Sequence, residues 1–345
     1  MVSLAIDVMG GDHAPRCVVE GVGLALDSLE GIERLFLIGR QTDMEQELRR
    51  IGKLGHARLE LVHTDQVVAM HESPAAAIRT KKDASIAVAV DLVKDGRARA
   101  VVSAGHTGAA VASTVLKLRT LPGIERPGIA TILPAISGRF LLLDAGANVD
   151  TKPGQMAQYA IMGEIYAREI LGVAHPRIGL LNVGGEDGKG NELTREAFKT
   201  LSALKDMGLE FVGNAEPNDL FSGNIDVVVC DGFTGNMVLK TGEAVAKFTR
   251  QRMKLSIGRN PARLAGAMLL RGAFADLRRA SDSEEYGGAP LLGVNGVCIK
   301  AHGASTPLAI RNAIRVAVEA VEHHVNELIV ARVQELGVAK PEKAA

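Results

Sequence analysis

Six glycine-rich turns combine a flexible backbone with side chains that can donate or accept protons. They occupy residues 7–12, 103–109, 144–150, 182–191, 231–236 and 302–305. Glycine lets a backbone approach a phosphate closely, and a helix after such a turn offers unpaired N–H groups and the positive end of its dipole. One turn alone is equally typical of ordinary turn chemistry, but six of them predict a site for a small anion. The candidate phosphate-binding residues are Gly10, Gly11, Asp12, Ser103, Gly105, Thr107, Gly108, Asp144, Asn148, Asp231, Thr234, Gly235, His302 and Ser305.

Three side chains in these turns are candidate catalytic residues. If a bound orthophosphate attacks an acyl thioester, the reaction needs orientation and donors for the developing oxyanion rather than a nucleophile from the protein. Lys189 would screen the repulsion between phosphate and oxyanion, and Asn236, expected in the first turn of a helix capped by Thr234, would donate its amide. His106 would move protons or bind phosphate as a cation. The structural alternatives are a solvated loop lysine, a hydrogen bond at a helix terminus and a structural histidine.

Motifs for other chemistry fail at defined positions. Residues 185–190 resemble a P-loop, but Gly190 stands where Ser or Thr should bind magnesium. The dinucleotide pattern that begins at Gly21 has Leu26 in place of its third glycine. The histidines have no matching set of zinc ligands. We therefore expect neither a metal nor a cofactor.

The elements that must position the turns follow from the hydrophobic pattern. Short apolar runs alternate with helical patterns, which is typical of βαβ units and a parallel sheet. Because the carboxyl ends of parallel strands meet at one edge of an open sheet, we expect the six turns to lie together. The predicted strands are residues 4–8, 35–39, 59–63, 100–103, 129–133, 140–144, 178–183, 210–212, 225–230 and 297–300.

We predict one α/β unit over residues 1–337, with a division into two lobes left open, and a frayed polar tail over 338–345. Helical periodicity is clearest from Pro307 onward, with Ser305 as the N-cap. This last helix is expected to close the fold.

The composition excludes several classes of partner. Lys+Arg and Asp+Glu number 40 each, so no global field would attract nucleic acid. Trp is absent, and the 8 Phe and 3 Tyr leave few platforms for base stacking. The three cysteines form no CxxC pair, and no basic leader or long apolar run is present. These features predict a cytoplasmic protein.

One segment, residues 250–280, breaks the charge balance. It holds eight basic residues and one acid, for a local net charge of +7, and apolar residues lie among them. The mixture predicts a basic amphipathic helical insertion that meets a membrane surface or an acidic partner. The alternative is a helix whose apolar face packs on the core. The candidate contact residues are Arg259, Arg263, Leu264, Met268, Leu269, Arg271, Phe274 and Arg278.

Taken in order, the motifs resemble one family, the PlsX acyl-[acyl-carrier-protein]:phosphate acyltransferases of bacterial phospholipid synthesis. The resemblance is carried by Met-Gly-Gly-Asp at 9–12, Ser-Ala-Gly-x-Thr-Gly-Ala at 103–109, Asp-x-Gly-Ala-Asn at 144–148, the block at 226–236, Tyr-Gly-Gly-Ala-Pro-Leu-Leu-Gly at 286–293 and His-Gly-Ala-Ser at 302–305. It covers nearly the whole chain.

The resemblance implies formation of acyl phosphate from acyl carrier protein and orthophosphate. It also implies a homodimer, loose attachment to the inner membrane face and a three-layer α/β/α fold with a mostly parallel open sheet. That fold would be similar to the isocitrate and isopropylmalate dehydrogenases and to phosphate acetyltransferase.

The chain departs from the family pattern at two places. His106 stands where the family usually carries Asn, and Thr80 and Ala84 stand where it usually carries Arg and Ser. Three rival functions are open: a coenzyme A-dependent phosphate acetyltransferase, a non-enzymatic scaffold that binds a membrane surface or acyl carrier protein, and a dehydrogenase suggested by fold analogy alone.

Overall fold

The computed structural model describes residues 1–69, 72–274 and 286–339. Within these ranges the strands are β1 (Val2–Asp7), β2 (Ile32–Gly39), β3 (Leu59–His63), β4 (Ala100–Ser103), β5 (Gly128–Pro134), β6 (Arg139–Leu143), β7 (Ile178–Leu181), β8 (Phe211–Ala215), β9 (Val227–Val229), β10 (Ala289–Leu292) and β11 (Val297–Lys300). The helices are α1 (Arg16–Ser28), α2 (Gln41–Arg50), α3 (Pro74–Thr80), α4 (Ser85–Lys94), α5 (Thr107–Leu118), α6 (Pro153–Glu169), α7 (Glu192–Lys205), α8 (Gly232–Ile257), α9 (Pro261–Leu269), α10 (Pro307–Glu322) and α11 (Val325–Glu335).

The described strands form one eleven-stranded sheet in the order β3-β2-β1-β4-β11-β10-β5-β6-β9-β7-β8. The strands β3, β2, β1, β4 and β11 are parallel to one another, and so are β6, β9, β7 and β8. Between the two groups, β10 is antiparallel to both β11 and β5, and β5 is antiparallel to β6. Because three antiparallel pairings stand in a row, the second group runs opposite to the first.

Helices cover both faces of this sheet. One face carries α3, α4, α5 and the first turns of α8 over a hydrophobic cluster that includes Ala5 of β1 and Val228 of β9. The opposite face is covered by α1 and α10 over β1, β4 and β11, and by α6, α7 and α11 over β6, β9 and β7. The predicted three-layer α/β/α class with a mostly parallel sheet is confirmed. The first cluster contains residues from both halves of the sheet.

The C-terminal region differs from the prediction in three ways. Thr306 rather than Ser305 caps α10, because its hydroxyl accepts a hydrogen bond from the Ala309 N–H at 3.3 Å. The predicted last helix is two helices, since His324 adopts a left-handed conformation (φ 54°) between them. The start of the tail is held, because the Val338 carbonyl accepts a hydrogen bond from Gln158 Nε2 at 2.9 Å. Residues 340–345 of the predicted frayed tail lie outside the described residues.

One strand was not predicted. β10 contains Pro290 and follows two glycines, Gly287 and Gly288, so its local sequence is typical of a loop. It forms a strand because it fills the gap between β11 and β5 in the middle of the sheet. Because β10 is antiparallel to both neighbours, strand direction first reverses here. This reversal decides at which edge of the sheet each glycine-rich turn lies.

Candidate functional site

The glycine-rich turns lie on two opposite edges of the sheet. We call edge 1 the edge where β1, β4 and β11 end, which carries residues 7–12, 103–109 and 302–305. Edge 2 is the edge where β6, β9 and β7 end, which carries residues 144–150, 231–236 and 182–191. The expectation that all six turns share one edge is therefore wrong. Its premise, a uniformly parallel sheet, fails at β10 and β5.

The two edges are too far apart to hold one small anion together. The nearest strands that end at them, β11 and β6, are separated by β10 and β5. Three strand spacings amount to about 14 Å, and the turns then lead away from the sheet in opposite directions. The sequence-predicted site is therefore two groups of residues.

At edge 2, a buried carboxylate holds the turn after β6. Asp144 Oδ1 accepts hydrogen bonds from the N–H groups of Ile129 (3.0 Å), Gly146 (3.0 Å) and Ala147 (2.9 Å). Its Oδ2 accepts from the backbone N–H (2.8 Å) and side-chain Nδ2 (3.1 Å) of Asn148. Burial raises the pKa of Asp144 although these hydrogen bonds oppose the rise. Both oxygens are engaged by the protein, so the geometry gives Asp144 a positioning role rather than direct contact with phosphate.

The backbone of the turn that begins at Asp144 packs against the first turn of α8. A side chain at Gly235 would place its Cβ 2.0 Å from the Asp144 carbonyl oxygen, and one at Gly232 would come within 2.4 Å of the Asn148 carbonyl oxygen. Only glycine allows this approach. α8 therefore packs backbone against backbone on the turn after β6.

Asn236 is placed by this packing. Asp231, not Thr234, caps α8, because its carboxylate accepts from the Thr234 N–H (2.8 Å) and hydroxyl (2.7 Å). The predicted cap at Thr234 is wrong, and Asn236 lies beyond the first turn. Its side chain is beside Gly146, where an added Cβ would meet it at 3.3 Å, and the residue is exposed to solvent.

Lys189 lies on the same edge, in the loop between β7 and α7. Its side chain is half exposed and its Nζ is 3.7 Å from Glu186 Oε1. Asn182 Nδ2 donates to the Lys189 carbonyl at 3.2 Å, which fixes the loop backbone while leaving the amine free to move. Because β7 and β9 are neighbours, Lys189 and Asn236 share edge 2, although no hydrogen bond joins them among the described residues.

At edge 1, two pairs of glycines let three turns meet. An added Cβ at Gly10 would lie 2.5 Å from the Gly105 nitrogen, and one at Gly11 (φ 113°) would lie 3.1 Å from the Gly303 carbonyl oxygen. The Asp12 N–H donates to that same carbonyl at 2.8 Å. The turns after β1, β4 and β11 thus form one continuous backbone surface.

Two imidazoles at edge 1 use their hydrogen bonds in the same way. His106 Nδ1 accepts from the Ala109 N–H at 3.3 Å and so caps α5, while His302 Nδ1 accepts from the Ala304 N–H at 3.2 Å. An accepting Nδ1 assigns the proton to Nε2, which is then a donor. The cap explains how His106 can replace an asparagine, whose side-chain oxygen would accept the same bond.

The remaining edge 1 candidates lie at helix starts. Thr107 and Gly108 form the first turn of α5, with Gly108 packed against Pro74. Ser305 is buried, and its carbonyl accepts a hydrogen bond from Cys17 Sγ at 2.9 Å.

Two titratable residues at edge 1 were not predicted. Asp7 is buried, and its Oδ2 accepts from the Ser103 hydroxyl at 2.7 Å. Burial raises the pKa of Asp7, and the nearby donors of Ser103, Ser85 and Met9 and the charge of Lys300 oppose the rise. Burial also lowers the pKa of Lys300 to about 8, which Asp7, Cys298 and Asp12 oppose. The available signal was a charged residue at the end of an otherwise apolar strand, as both β1 and β11 show.

The basic segment forms a helical extension. Apart from Gly242, the residues of α8 from Lys240 to Arg250 are exposed, and α9 has no buried residue. Between the end of α8 and α9 lies an apolar pocket of about 450 Å³, lined by Met253, Ile257, Leu264 and Phe274. Leu269 is 88% exposed and Met268 65% exposed. The alternative that this apolar face packs on the core is therefore wrong for α9.

The charged candidates in this extension are also exposed. Arg259 and Arg271 face solvent, and Arg263 donates to the Ser256 carbonyl at 3.2 Å. Arg278 lies outside the described residues. No helix in the described ranges is long and apolar enough to cross a membrane. The same ranges contain no cluster of three or more residues suited to a metal ion.

Comparison with known proteins gives consistent matches. The fatty acid synthesis protein family matches residues 2–328. The phosphate acyltransferase of Heliobacterium modesticaldum is 47% identical over 322 residues, which cover 93% of this chain and 94% of that protein. The phosphate acyltransferase of Akkermansia muciniphila is 46% identical over 339 residues, with 97% of both chains covered.

Solved structures share the fold at low sequence identity. A phosphotransacetylase from Streptococcus pyogenes superposes with a TM-score of 0.62 at 18% identity, covering 93% of this chain and 94% of that one. A 4-hydroxythreonine-4-phosphate dehydrogenase from Klebsiella pneumoniae superposes with a TM-score of 0.52 at 14% identity, covering 92% of this chain and 98% of that one. The architecture is thus common to transacylases and a dehydrogenase, so fold alone does not decide between those chemistries.

Proposed function

The chain belongs to the fatty acid synthesis protein family and is a phosphate acyltransferase, and from this premise we propose that it transfers a fatty acyl group from acyl carrier protein to orthophosphate for phospholipid synthesis. The observation that carries the proposal is the 47% identity to a phosphate acyltransferase along nearly the whole chain. The dehydrogenase and scaffold alternatives do not account for this match.

The reaction needs no covalent enzyme intermediate. An oxygen of hydrogen phosphate attacks the thioester carbonyl carbon, and the carbonyl oxygen becomes an oxyanion. The C–S bond then breaks, and the proton carried by the phosphate passes to the sulfur, so the products are acyl phosphate and a free thiol. The protein must hold two reactants together and stabilise negative charge at the oxyanion.

We assign this chemistry to edge 2. The Lys189 amine is free to move over the site and to screen the charge between phosphate and oxyanion. The Asn236 amide, held beside Gly146 by the packing of α8, is suited to donate to the oxyanion. Exposed apolar side chains next to these turns, Val149, Val183 and Phe233, offer a surface for an acyl chain. They support an acyl substrate rather than a purely polar one.

Replacement of the two donors tests the assignment. We expect Lys189→Ala and Asn236→Ala each to lower kcat by about 10² to 10³ without loss of folding, because each removes charge stabilisation made mainly in the transition state. Lys199→Ala is the matched control, since Lys199 forms a similar ion pair three residues from its partner, Glu196. Near-normal rates of acyl phosphate formation in both active-site variants would reject the assignment.

The acyl donor is tested separately. Acyl thioesters of acyl carrier protein and of coenzyme A with the same chain length are compared as substrates, and kcat/KM should favour the carrier protein. A preference for the short acetyl thioester of coenzyme A would instead support the phosphate acetyltransferase alternative.

We further propose that the helical extension makes peripheral contact with the anionic inner face of the membrane, or with acidic acyl carrier protein, in an otherwise cytoplasmic protein. Its basic residues are exposed beside Leu264, Met268 and Leu269. Each basic residue near an anionic surface contributes about 1 kcal/mol. The exposed Val245 and Phe248 on α8 support a second copy of the chain as a further partner, in a homodimer.

Vesicle sedimentation separates the possible partners of the extension. Leu269→Glu should weaken binding to vesicles that contain anionic lipid, while Leu116→Glu, an exposed position on α5, should not. Docking of acyl carrier protein should instead weaken steeply with salt and respond to Arg271→Glu. If none of these changes alters either interaction, the extension has neither role. Sedimentation velocity of the whole chain tests the homodimer.

A further inference from the structure

Edge 1 contains polar groups that the proposed chemistry at edge 2 does not use. Lys300 ends β11, Asp7 ends β1, and Ser103 ends β4 between them. The three residues stand side by side in register, and alternation along the strands points all three to the face of the sheet covered by α4 and α5. This cluster lies beneath the turns in which Gly10 meets Gly105 and Gly11 meets Gly303.

Lys300 is a half-buried cation on which the charges of Asp7 and Asp12 act, but it forms no direct ion pair among the described residues. Its Nζ donates to the Ala301 carbonyl, and no carboxylate of the described ranges lies within ion-pair distance of it. A lysine amine has three N–H groups, so two remain available. Asp7 does not neutralise the Lys300 charge by direct contact, because β4 lies between the strands of the two residues. The Oδ1 atom of Asp7 has no hydrogen-bond partner in the described part of the chain.

Two imidazoles at this edge also have donors that no hydrogen bond among the described residues uses. His106 and His302 both accept at Nδ1, which leaves their Nε2–H groups free. A partly buried cation with spare N–H groups, at the same edge as two imidazole donors and a glycine surface that admits close approach, fits a ligand with several negatively charged oxygens. Phosphoryl groups have this chemistry. Two carboxylates at these turns, the buried Asp7 and the exposed Asp12, oppose it.

We propose that edge 1 binds a second phosphoryl group, distinct from the orthophosphate that reacts at edge 2, and that Lys300 is its main side-chain anchor. The separation of about 14 Å between β11 and β6 prevents one phosphate from contacting both edges. This inference rests on the proposed function for the identity of the reacting phosphate. It does not rest on that function for the existence of the edge 1 site.

Two sources could supply this phosphoryl group. One is free orthophosphate, and the other is the phosphodiester in the phosphopantetheine arm of the acyl donor. The helical extension starts from α8 at edge 2, and the chain re-enters the sheet at Ala289, which pairs with Lys300 at edge 1. A donor docked on the extension could therefore reach edge 1, so both sources are included in the test.

Kinetics with two small donors distinguishes these sources. Wild type, Lys300→Met and Lys300→Arg are assayed with orthophosphate and either acyl-pantetheine or acyl-4′-phosphopantetheine. If edge 1 holds the donor phosphodiester, Lys300→Met should raise KM at least tenfold for acyl-4′-phosphopantetheine but not for acyl-pantetheine. If it holds a second orthophosphate, equilibrium binding should show two orthophosphates per chain in the wild type and one in Lys300→Met, whereas a rise in KM for orthophosphate would place the reacting phosphate at edge 1 and contradict the assignment to edge 2. Lys300→Arg should recover most of the loss in either case.

Two results would overturn the inference. Unchanged KM values for all three substrates in Lys300→Met, together with unchanged stoichiometry of orthophosphate binding, would remove the edge 1 site, as would a fall in kcat alone. Lys94→Met, at the exposed end of α4, is the control and should leave all constants unchanged. Equilibrium binding of orthophosphate and phosphopantetheine to a Lys189→Ala background, with and without Lys300→Met, provides a readout without turnover. It reports on edge 1 even if Lys189 proves not to be catalytic.

Discussion

Each edge of the sheet carries a buried aspartate directly at or after a strand, and the two differ in how they are satisfied. Asp144 at edge 2 accepts five hydrogen bonds, from three neighbouring backbone N–H groups and from both donors of Asn148. Asp7 at edge 1 accepts from Ser103, and its Oδ1 has no hydrogen-bond partner within the described ranges. The comparison teaches that a buried carboxylate whose oxygens are all used positions the backbone. Asp7, with one oxygen unused, leaves part of the cost of its burial uncompensated.

The lysines of the two edges differ in the opposite way. Lys189 at edge 2 is half exposed in a glycine-flanked loop, whereas Lys300 at edge 1 is half buried at the end of a strand. A mobile amine can follow charge as it develops during a reaction. A fixed amine is better suited to hold a charge that is already present, because its conformational entropy is lost on folding rather than on binding.

The largest expected effect separates the two aspartates. Asp144→Ala removes the acceptor for several buried N–H groups and should lower the free energy of unfolding by about 4 kcal/mol, with loss of activity as α8 shifts. Asp7→Asn should cost less than about 1 kcal/mol, because burial already favours the neutral acid, as the raised pKa of Asp7 shows. Urea denaturation measures both. Equal costs for the two replacements would break the comparison.

The second effect is a pH dependence of the free energy of unfolding that comes from Lys300 and not from Lys189. Because the pKa of Lys300 is about 8 in the folded protein against 10.5 for the ordinary side chain, the unfolded chain binds more protons between these values. The free energy of unfolding therefore increases as pH rises from about 8 to 10.5, because Lys300 loses its charge in the folded protein first. Below pH 8 the folded protein carries the full cost of burying that charge. Lys300→Met should be the more stable protein at pH 7, by up to about 3 kcal/mol.

Denaturation of wild type and Lys300→Met across pH 6 to 11 tests this prediction. The stability difference should disappear as pH rises from about 8 to about 10.5. Asp7, Asp12 and Cys298, which face Lys300, remain in both proteins, and Lys189→Met replaces an exposed lysine as the matched control. A pH-independent difference would show that packing, not buried charge, separates the two lysines.

The smallest effect concerns His106. His106→Asn should keep the cap of α5 and change the free energy of unfolding by less than about 0.5 kcal/mol, whereas His106→Ala should cost about 1 kcal/mol. The pH profile of activity in His106→Asn should match wild type, because the asparagine oxygen accepts the hydrogen bond from the Ala109 N–H that His106 Nδ1 accepts in the wild type. If that variant instead loses a pH dependence that the wild type shows, His106 acts as a cation, as the sequence predicted, and edge 1 depends on one more positive charge.

Much of the local structure could be predicted from the sequence. The strands β3, β4 and β11 have the predicted bounds, and Pro307 starts its helix as expected. These elements are set by short-range factors, namely apolar runs between glycines and the restricted backbone of proline. The cap of α8 was misplaced by three residues because Asp231 and Thr234 are both good capping residues, and only the backbone decides between them.

The sequence by itself determined the strand-turn-helix units, the polar residues that each turn presents and the family to which the chain belongs. Tertiary structure alone decided which turns share an edge, since that depends on the directions of β10 and β5 and hence on hydrogen bonds between residues far apart in the chain. It also decided that Lys300 is half buried and Lys189 exposed, although both follow short apolar strands. The physical reason is that periodicity reports which face of an element is apolar. Strand direction, and the desolvation of a side chain at a strand end, are set by what packs beside it.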